Sequence, residues 1–177
     1  QQGLPVDSEE FVFNNLEITP QNVAQMIICQ SHDSASFYFN AVFTFLQAMK
    51  SLLNKSYSWS TVQMYYSVFY ACKSILGFDN IGIIRSHGLH VLKLRVGEKA
   101  KKLKRDNDHD QTIQYYKKHY QSSYMMSNDI EEQSFFEWIK DAREITNYRQ
   151  QVFQEPRSLD FLSNSISYLD NKNTLCS

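Results

Sequence analysis

Apolar side chains recur every three or four residues along two long stretches of this chain, a spacing that places them on one face of an α-helix. The first stretch carries the pattern at Phe37, Ala41, Val42, Phe45, Leu46, Met49 and Leu53. The second carries it at Val62, Tyr65, Tyr66, Phe69, Cys72, Ile75 and Leu76. Only 5 Gly and 3 Pro occur in 177 residues, whereas turn-rich β proteins use many of both. The sequence therefore predicts an all-α fold, an antiparallel bundle of four to five main helices with no β-sheet.

Capping signals divide the predicted bundle into segments. We predict main helices near residues 34–53, 59–77, 86–97 and 128–153, and a shorter helix near 20–30. The residues that would cap or stop them are Asp33 and Ser34, Ser60 with Gln63, Gly77, Ser86, and Asn128 with Glu131. A single domain spanning 1–177 is expected at this length, with a core at 34–153, an N-terminal extension at 1–33 and a short C-terminal helix at 157–170.

The charge balance and the cysteines narrow the class of function. The formal net charge is −1, so contact with RNA must come from a local basic patch. Cys29, Cys72 and Cys176 are far apart and lack metal-ligand spacing, which favours free thiols in a reducing cytoplasm. No segment reaches the roughly 18 uninterrupted apolar residues of a membrane span. We therefore expect a cytoplasmic protein with no metal, no cofactor and no membrane partner.

A basic tract is the strongest local candidate for contact with nucleic acid. It comprises Lys99, Lys101, Lys102, Lys104 and Arg105, and it is followed by a predicted break at 106–108 and by Tyr115, Tyr116 and Tyr120. Lysines can follow a phosphate backbone while tyrosine rings stack on unpaired bases. The alternative is a solvent-exposed helix face followed by a loop, which is the commoner meaning of a charge run.

Three segments, in order along the chain, resemble the HEPN family. WSTVQMYYSVFYACKSILG, residues 59–77, is similar to the family helix in which paired aromatics precede a small and apolar run. RSHGLHVLKL, residues 85–94, resembles the His-bearing start of the next helix. DAREITNYRQ, residues 141–150, resembles the late-helix segment in which Arg is followed by Asn or Asp and Tyr. The resemblance covers roughly residues 34–153.

The resemblance implies a helical bundle, usually dimeric, of prokaryotic toxin, antitoxin and antiviral systems that act on RNA. Its active members are metal-independent endoribonucleases that use an Arg, four to six further residues, and a His. Arg stabilises the charge of a phosphate under attack, and imidazole moves a proton near neutral pH. Here Arg143 is followed after four residues by Tyr148 in place of His, and Asn147 shares the helix face of Arg143. We therefore predict an anion site at Arg143, Asn147 and Tyr148, with cleavage left open because a tyrosine with a pKa of about 10 is a poor base.

A second match to the same spacing is Arg85, four residues, then His90. Such a match arises by chance at roughly even odds in a chain of this size, and it precedes the family's catalytic helix. A structural role for His90, as a cap or packed against residues 78–84, is the alternative. The residues predicted to contact RNA are Arg85, His90, Lys101, Lys102, Lys104 and Arg105.

Hypotheses from two classes of function follow. The first is an RNA-directed domain of a toxin or antiviral-defence system, which binds RNA and, if active, cleaves it as an endoribonuclease. The second is a non-catalytic dimerisation or adaptor module that docks a protein partner such as a nucleotidyltransferase. A helical bundle of unrelated function is a third. We also predict a homodimer, because the helices carry more aromatic surface than one small bundle needs.

Overall fold

The computed structural model describes residues 17–85, 88–103, 107–121, 129–130 and 133–146. Four helices lie within these ranges: α1 Val23–Leu53, α2 Tyr57–Phe78, α3 Asp108–His119 and α4 Phe135–Glu144. Five short strands accompany them: β1 Ile81–Arg85, β2 Leu89–Lys93, β3 Lys101–Lys102, β4 Asp129–Ile130 and β5 Gln133–Ser134. The described fold is mostly helical, so the prediction of an all-α bundle is confirmed only in part, and the prediction that there is no β-sheet is wrong. The short helix predicted at 157–170 falls outside the described residues.

The chain divides into two compact units. The first combines Gln1–Asn40 with Phe69–Ser123, and the second combines Ala41–Val68 with Tyr124–Ser177. Both long helices therefore contribute one end to each unit. None of the helices in the described ranges is at once long enough and apolar enough to cross a membrane.

Helix α1 runs unbroken for 31 residues, so the separate helices predicted at 20–30 and 34–53 are one. Ser34, expected to cap the second of them, is fully buried and donates its hydroxyl to the Gln30 carbonyl at 2.6 Å. A serine that bonds to the carbonyl four residues earlier is accommodated inside a helix, where it does not act as a cap.

Three serines of α2, spaced seven residues apart, donate hydrogen bonds to backbone carbonyls of α1. The pairs are Ser74 with Ser34 (2.9 Å) in the first unit, and Ser67 with Ala41 (2.8 Å) and Ser60 with Ala48 (2.9 Å) in the second. The acceptors are also seven residues apart, and all six residues are buried. The distance between packed helices depends on the side chains at their contact, and small ones allow a hydroxyl to reach the neighbouring backbone. We call these three contacts the serine seam.

The serine seam moves the large apolar residues of α1 away from the core. Ala41, Ala48 and Leu52 are buried in the second unit. Four residues that were expected to face the core are instead exposed: Val42 at 42%, Phe45 at 48%, Leu46 at 59% and Leu53 at 41%. We call these four the outer stripe of α1. The expectation failed because bulky side chains between α1 and α2 would keep the helices too far apart for the hydrogen bonds of the serine seam.

Helix α2 begins and ends differently from the prediction. It starts at Tyr57, so Ser60 lies inside the first turn and does not cap the helix. It ends at Phe78, and the left-handed residue that follows is Asn80, with φ 60° and its N–H bonded to the Gly77 carbonyl at 3.0 Å. Gly77 is instead a point of close helix contact, because a Cβ there would lie 2.0 Å from the Ser34 Oγ.

The segment predicted as a helix at 86–97 contains strand β2 of a three-stranded antiparallel sheet, ordered β1-β2-β3. β1 pairs with β2 so that Ile81 lies opposite Lys93 and Arg85 opposite Leu89. The physical reason for the error is length, because Leu89, Val91 and Leu92 within only five residues fit a buried strand as well as a piece of helix. Ser86, the predicted cap, lies outside the described residues.

The sheet gives the first unit a small apolar core. Leu92 and Leu94 pack with Ile18, which precedes α1. Ile18 also donates its N–H to the Glu98 carbonyl at 3.0 Å and accepts the Gly97 N–H at 2.8 Å, so the start of the described chain is fixed to the segment after β2. The partly buried residues around this core are Val23, Met26, Ile27, Ile84 and Ala100.

Two shorter helices complete the described fold. Asn107 caps α3 by accepting the backbone N–H groups of His109 and Asp110, and this helix was missed because the sequence there indicated only a break. Ser134 caps α4 by accepting the Glu137 N–H at 3.4 Å. Residues 129–130 and 133–134 pair as strands, so the helix predicted from residue 128 begins only at 135.

Candidate nucleic-acid interface

Arg143 lies on α4, next to the apolar face that α4 buries in the second unit. Trp138, Ile139 and Ala142 on that face are all buried. The guanidinium carbon of Arg143 lies 4.9 Å from the centroid of the Tyr65 ring, which is cation–π geometry. Tyr65 belongs to α2 and is 1% exposed, so the ring is itself held in place by the core. Two of the three segments that carry the family resemblance therefore meet at this contact.

The stacked guanidinium is restricted in how it can bind a ligand. Tyr65 covers one of its faces, and the Nε atom of Arg143 is buried. A guanidinium donates its hydrogen bonds in its own plane. An anion must therefore approach the edge of the group, where parallel N–H donors match two oxygens of a phosphate or carboxylate. A cation–π contact is worth about 0.5–2 kcal/mol, enough to favour one orientation of the side chain.

The backbone changes immediately after this helix. Residues 145–146, the last described ones of this segment, have π-helical backbone, a rare conformation that is frequently found at functional sites. Asn147 and Tyr148 lie outside the described residues. Their places beside Arg143 therefore remain predictions.

The pairing of β1 with β2 places Arg85 and His90, the second match to the Arg–His spacing, on opposite faces of the sheet. Arg85 lies opposite Leu89, and Ile84 lies opposite His90. Successive side chains of a strand point to opposite faces of a sheet, so Arg85 and His90 face in opposite directions. Arg85 is exposed, whereas His90 is 0% exposed. The two residues do not form one site, and the structural alternative describes His90, which has no surface to offer to RNA.

Strand β3, at the edge of the sheet, carries Lys101 and Lys102 of the basic tract, and Lys99 lies just before it. Lys101 and Lys102 are exposed there, in a strand where a helix face was the alternative expectation. The Lys101 Nζ lies 3.6 Å from a Glu98 carboxylate oxygen, and the Lys99 Nζ lies 3.3 Å from one of Glu17. Such exposed pairs contribute little to stability, but they lower the positive charge of the tract. Lys104 and Arg105 lie outside the described residues, and RNA contact by the tract remains a prediction.

The three tyrosines that follow the basic tract have different environments. Tyr116 is 4% exposed, so the prediction that its ring stacks on a base is wrong. Tyr120 donates its hydroxyl to the Asp79 carboxylate, and burial together with that hydrogen bond raises the pKa of Tyr120. Tyr115 is half-buried and lines a cleft of the first unit.

Sequence reasoning missed a polar cluster that joins α2 to α3 in the first unit. The Lys73 Nζ lies 2.9 Å from a carboxylate oxygen of Asp108, and both side chains are largely buried. The His109 ring stacks on Phe69, with centroids 4.1 Å apart and an angle of 8° between the planes. The one available signal was a lysine inside an otherwise apolar helical pattern, and nothing local indicated its partner 35 residues away. The cluster fixes α3 and has no evident chemistry of its own.

These observations define a mostly helical domain in which an arginine of a late helix is held on a core tyrosine of an earlier one. The family model described as the HEPN domain matches residues 35–152, and the chain belongs to the HEPN domain family. The resemblance predicted over 34–153 is thereby confirmed. Membership places the domain, at the level of the family, among RNA-related modules of toxin and defence systems. Comparisons with curated proteins and with solved structures gave no significant match.

Proposed function

We propose that this domain binds RNA through a phosphate site centred on Arg143 and serves a toxin or antiviral-defence system. The observation that carries the proposal is the stacking of Arg143 on the buried ring of Tyr65. A guanidinium that is already oriented loses less side-chain freedom when it binds, so more of the interaction with phosphate appears as affinity. Asn147, on the predicted continuation of the same helix face, would donate a second hydrogen bond.

Binding without efficient cleavage is the expected activity of this site. Tyr148 takes the position at which active members of the family carry His. A tyrosine with an unperturbed pKa of about 10 holds its proton at neutral pH, so it cannot accept one from a ribose hydroxyl. Arg143 would then stabilise phosphate charge with no base beside it.

The test is binding of labelled single-stranded RNA to the purified chain in EDTA, with retention and cleavage measured together. Arg143→Ala should weaken binding by about 1–3 kcal/mol and reduce the salt slope by about 0.7, as expected for one lost phosphate contact. Lys140→Ala is the matched control, because Lys140 lies on the same helix and forms a half-exposed ion pair with Glu144 at 4.0 Å. Equal losses in the two variants would show that only the general charge matters and would refute the site.

A gain-of-function variant tests whether the fold supports cleavage once a His is restored. Tyr148→His restores the family spacing of Arg, four residues and His. Metal-independent cleavage by this variant, absent from Arg143→Ala combined with Tyr148→His, is the expected result. If the restored His gives no cleavage although RNA binding still depends on Arg143, the domain is an RNA binder whose geometry excludes the reaction.

A second candidate function is protein docking, favoured by the outer stripe of α1. Its four large apolar residues are each more than two-fifths exposed, which is unusual for neighbours on one helix. A second copy of the chain is the occupant we propose, since domains of this family commonly dimerise. Light scattering should give twice the monomer mass of 20.8 kDa, and Phe45→Glu should reduce it to the monomer without loss of helical circular dichroism. A wild-type monomer at high micromolar concentration would leave the stripe for a different protein partner.

A further inference from the structure

Strand β1 lies at one edge of the three-stranded sheet, and within the described part of the chain it pairs only with β2. Opposite residues of an antiparallel pair alternate between those that bond to each other and those that do not. The Leu94 N–H donates to the Asn80 carbonyl at 2.8 Å, and the Leu103 N–H donates to the Leu89 carbonyl at 2.7 Å, from the β3 side. Both bonds indicate that the even-numbered residues of β1 are the ones that bond to β2.

The N–H and C=O groups of the odd-numbered residues, Ile81, Ile83 and Arg85, therefore point away from β2. Alternate residues of a strand lie about 6.6 Å apart, so these groups form a row of donors and acceptors with that repeat. A row of this kind is the template on which another extended chain adds as a further strand. Its repeat matches the backbone of an extended peptide, whereas a small ligand would reach only one member of the row.

A groove of about 360 Å³ lies beside this edge. Its lining includes neighbours on β1, Ile83 and Ile84, whose side chains belong to opposite faces of the sheet, so the groove lies at the edge and not over one face. Helices α1 and α2 form its other wall, which the Ser74–Ser34 hydrogen bond of the serine seam holds together. We call this space the edge groove. The lining residues from the two helices are Gln30, Asp33, Phe37, Lys73 and Leu76.

The edge groove is mostly apolar and carries both signs of charge. Phe37, Leu76 and the isoleucines of β1 supply its apolar surface. The Lys73 Nζ lies 2.9 Å from an Asp108 carboxylate oxygen, so its charge is already offset. Asp33 and Arg85 are both exposed, one on the helical wall and the other on the strand. An occupant of complementary chemistry has an apolar side chain, a base for Asp33 and an acid for Arg85.

We infer that the edge groove binds an extended segment of a partner protein, which adds to β1 as a fourth strand of the sheet. The segment carries a basic, an apolar and an acidic residue at alternate positions, because alternate side chains of a strand lie on one face. Backbone hydrogen bonds with β1 supply affinity, and the side chains of the edge groove select the sequence. The edge groove belongs entirely to the first unit, so the inference does not rest on the proposed function of Arg143.

Titration of the full chain, labelled with ¹⁵N, with the end-blocked peptide Thr-Lys-Thr-Val-Thr-Glu-Thr and with its reversed sequence tests the inference, since β1 can accept a strand in either direction. Amide hydrogen exchange in the complex provides the readout. The Ile83 N–H should become protected when the preferred peptide binds, whereas the Ile84 N–H, which bonds to β2, should be protected with and without peptide. Lack of binding by both peptides at millimolar concentration would overturn the inference.

N-methylated peptides separate strand addition from general apolar contact. One version is methylated on the amides of its Lys, Val and Glu, and the other on the amides of its inner Thr residues. Only one of these sets faces β1 in an added strand, so one version should lose binding and the other should retain it. Equal effects of the two methylations would show that no strand is added.

Ile83→Pro tests the same bond from the protein side. It removes an N–H that points away from β2, and proline is tolerated on an edge strand, so the sheet should remain folded by circular dichroism. Peptide binding should fall by at least about tenfold, the scale of an unpaired polar group. Ile83→Ala is the matched control, because it removes the side chain and keeps the N–H, and its loss should be smaller. Equal losses in the two folded variants would contradict the inference, and the methylated peptides decide the matter if Ile83→Pro does not fold.

Charge reversal tests the chemistry of the occupant. Arg85→Glu should reverse the preference between the peptide and a version in which Lys replaces its Glu, and an unchanged preference would refute the assignment of the acid to Arg85. A second copy of the chain is the other possible occupant of the edge. Protection of the Ile83 N–H that rises with protein concentration in the absence of peptide would assign the edge to that copy and overturn the inference.

Discussion

Adding one methyl group at Gly77 should destabilise the first unit. A Cβ at this position would lie 2.0 Å from the Ser34 Oγ, 2.6 Å from the Gln30 Nε2 and 3.2 Å from the Ser34 Cβ. The glutamine amide is the end of a flexible side chain and can move. Ser34 is 0% exposed, and its carbonyl accepts the Ser74 hydroxyl of the serine seam, so its backbone can move only if α1 and α2 separate locally. Its hydroxyl can turn away only by giving up the hydrogen bond to the Gln30 carbonyl.

The expected cost of Gly77→Ala is the difference between two terms. Overpacking of a tight contact costs about 1–3 kcal/mol, and the clash here belongs at the upper end. Alanine is favoured over glycine inside a helix by about 1 kcal/mol, which offsets part of that cost. A net loss of about 2 kcal/mol follows, which corresponds to a fall in Tm of about 4–8 °C for a chain of this size.

Thermal and urea unfolding, followed by circular dichroism, measure this loss. Adding Ser34→Ala should recover more than half of it, because the closest clashing atom is removed. The Gln30 amide can move away, and the 3.2 Å contact between Cβ atoms remains. Gly97→Ala is the contrasting variant, since Gly97 has φ +85° and nothing within 4 Å of the added Cβ, so its cost is backbone strain. Ser34→Ala should not relieve that strain. A Gly77→Ala protein as stable as wild type, or one that Ser34→Ala fails to rescue, would refute the packing argument.

Ser67→Ala should lower the free energy of unfolding by about 1 kcal/mol, the net worth of one hydrogen bond, and Ser67→Leu should lower it by more, because its bulk separates the helices. In a Cys176→Ser background, Cys29 should react quickly with a thiol reagent at pH 8, while Cys72 should react only on unfolding, because it is 3% exposed and burial raises its pKa to about 12. Since the unfolded thiol ionises first, the contribution of Cys72 to stability should be complete below about pH 8 and should fall as the pH rises toward 12, which unfolding of wild type and Cys72→Ala across that range would show.

Long periodic patterns in the sequence predicted the helical core. Short elements and contacts between residues far apart in the sequence were not predicted. The apolar spacing from Val62 to Leu76 required a helix, and α2 is there. The residues from Leu89 to Lys93 form a run too short for periodicity to distinguish a strand from a helix, so the sheet was missed. Serines at intervals of seven were visible, but a serine in a helix suggests a cap or an exposed position unless a partner backbone is known to lie close.

In the candidate site, too, one residue was predicted from the sequence and its contacts were not. Arg143 was identified from the family resemblance, since a single arginine on a helix has no distinguishing local pattern. Its stacking on Tyr65 joins residues 78 positions apart, and no local rule connects them. The cleft of the first unit is lined by α3, a helix that the sequence did not indicate. The sequence therefore could not show that Lys93 and Lys118 line one cleft.

The serine seam repeats the same hydrogen bond between α2 and α1 every seven residues. Its acceptors are main-chain carbonyls, which every residue possesses, so each hydroxyl requires a small residue opposite but no particular side chain. Sliding α1 by about one turn would place larger residues such as Phe37 opposite the serines. Sliding it by seven residues would bring Ser67 opposite Ser34 and Ser60 opposite Ala41, restoring two bonds, whereas Ser74 would face the larger Ile27. The serine seam therefore does not by itself determine which residues of α1 and α2 lie opposite each other. That choice belongs to the connection between Leu53 and Tyr57, where Lys55 has φ 62° and the Ser56 N–H bonds to the Ser51 carbonyl at 2.9 Å. Three linking residues are too few to allow a slip of one heptad, so lengthening this turn, which touches neither helix face, is the change that would make the alignment of the hairpin ambiguous.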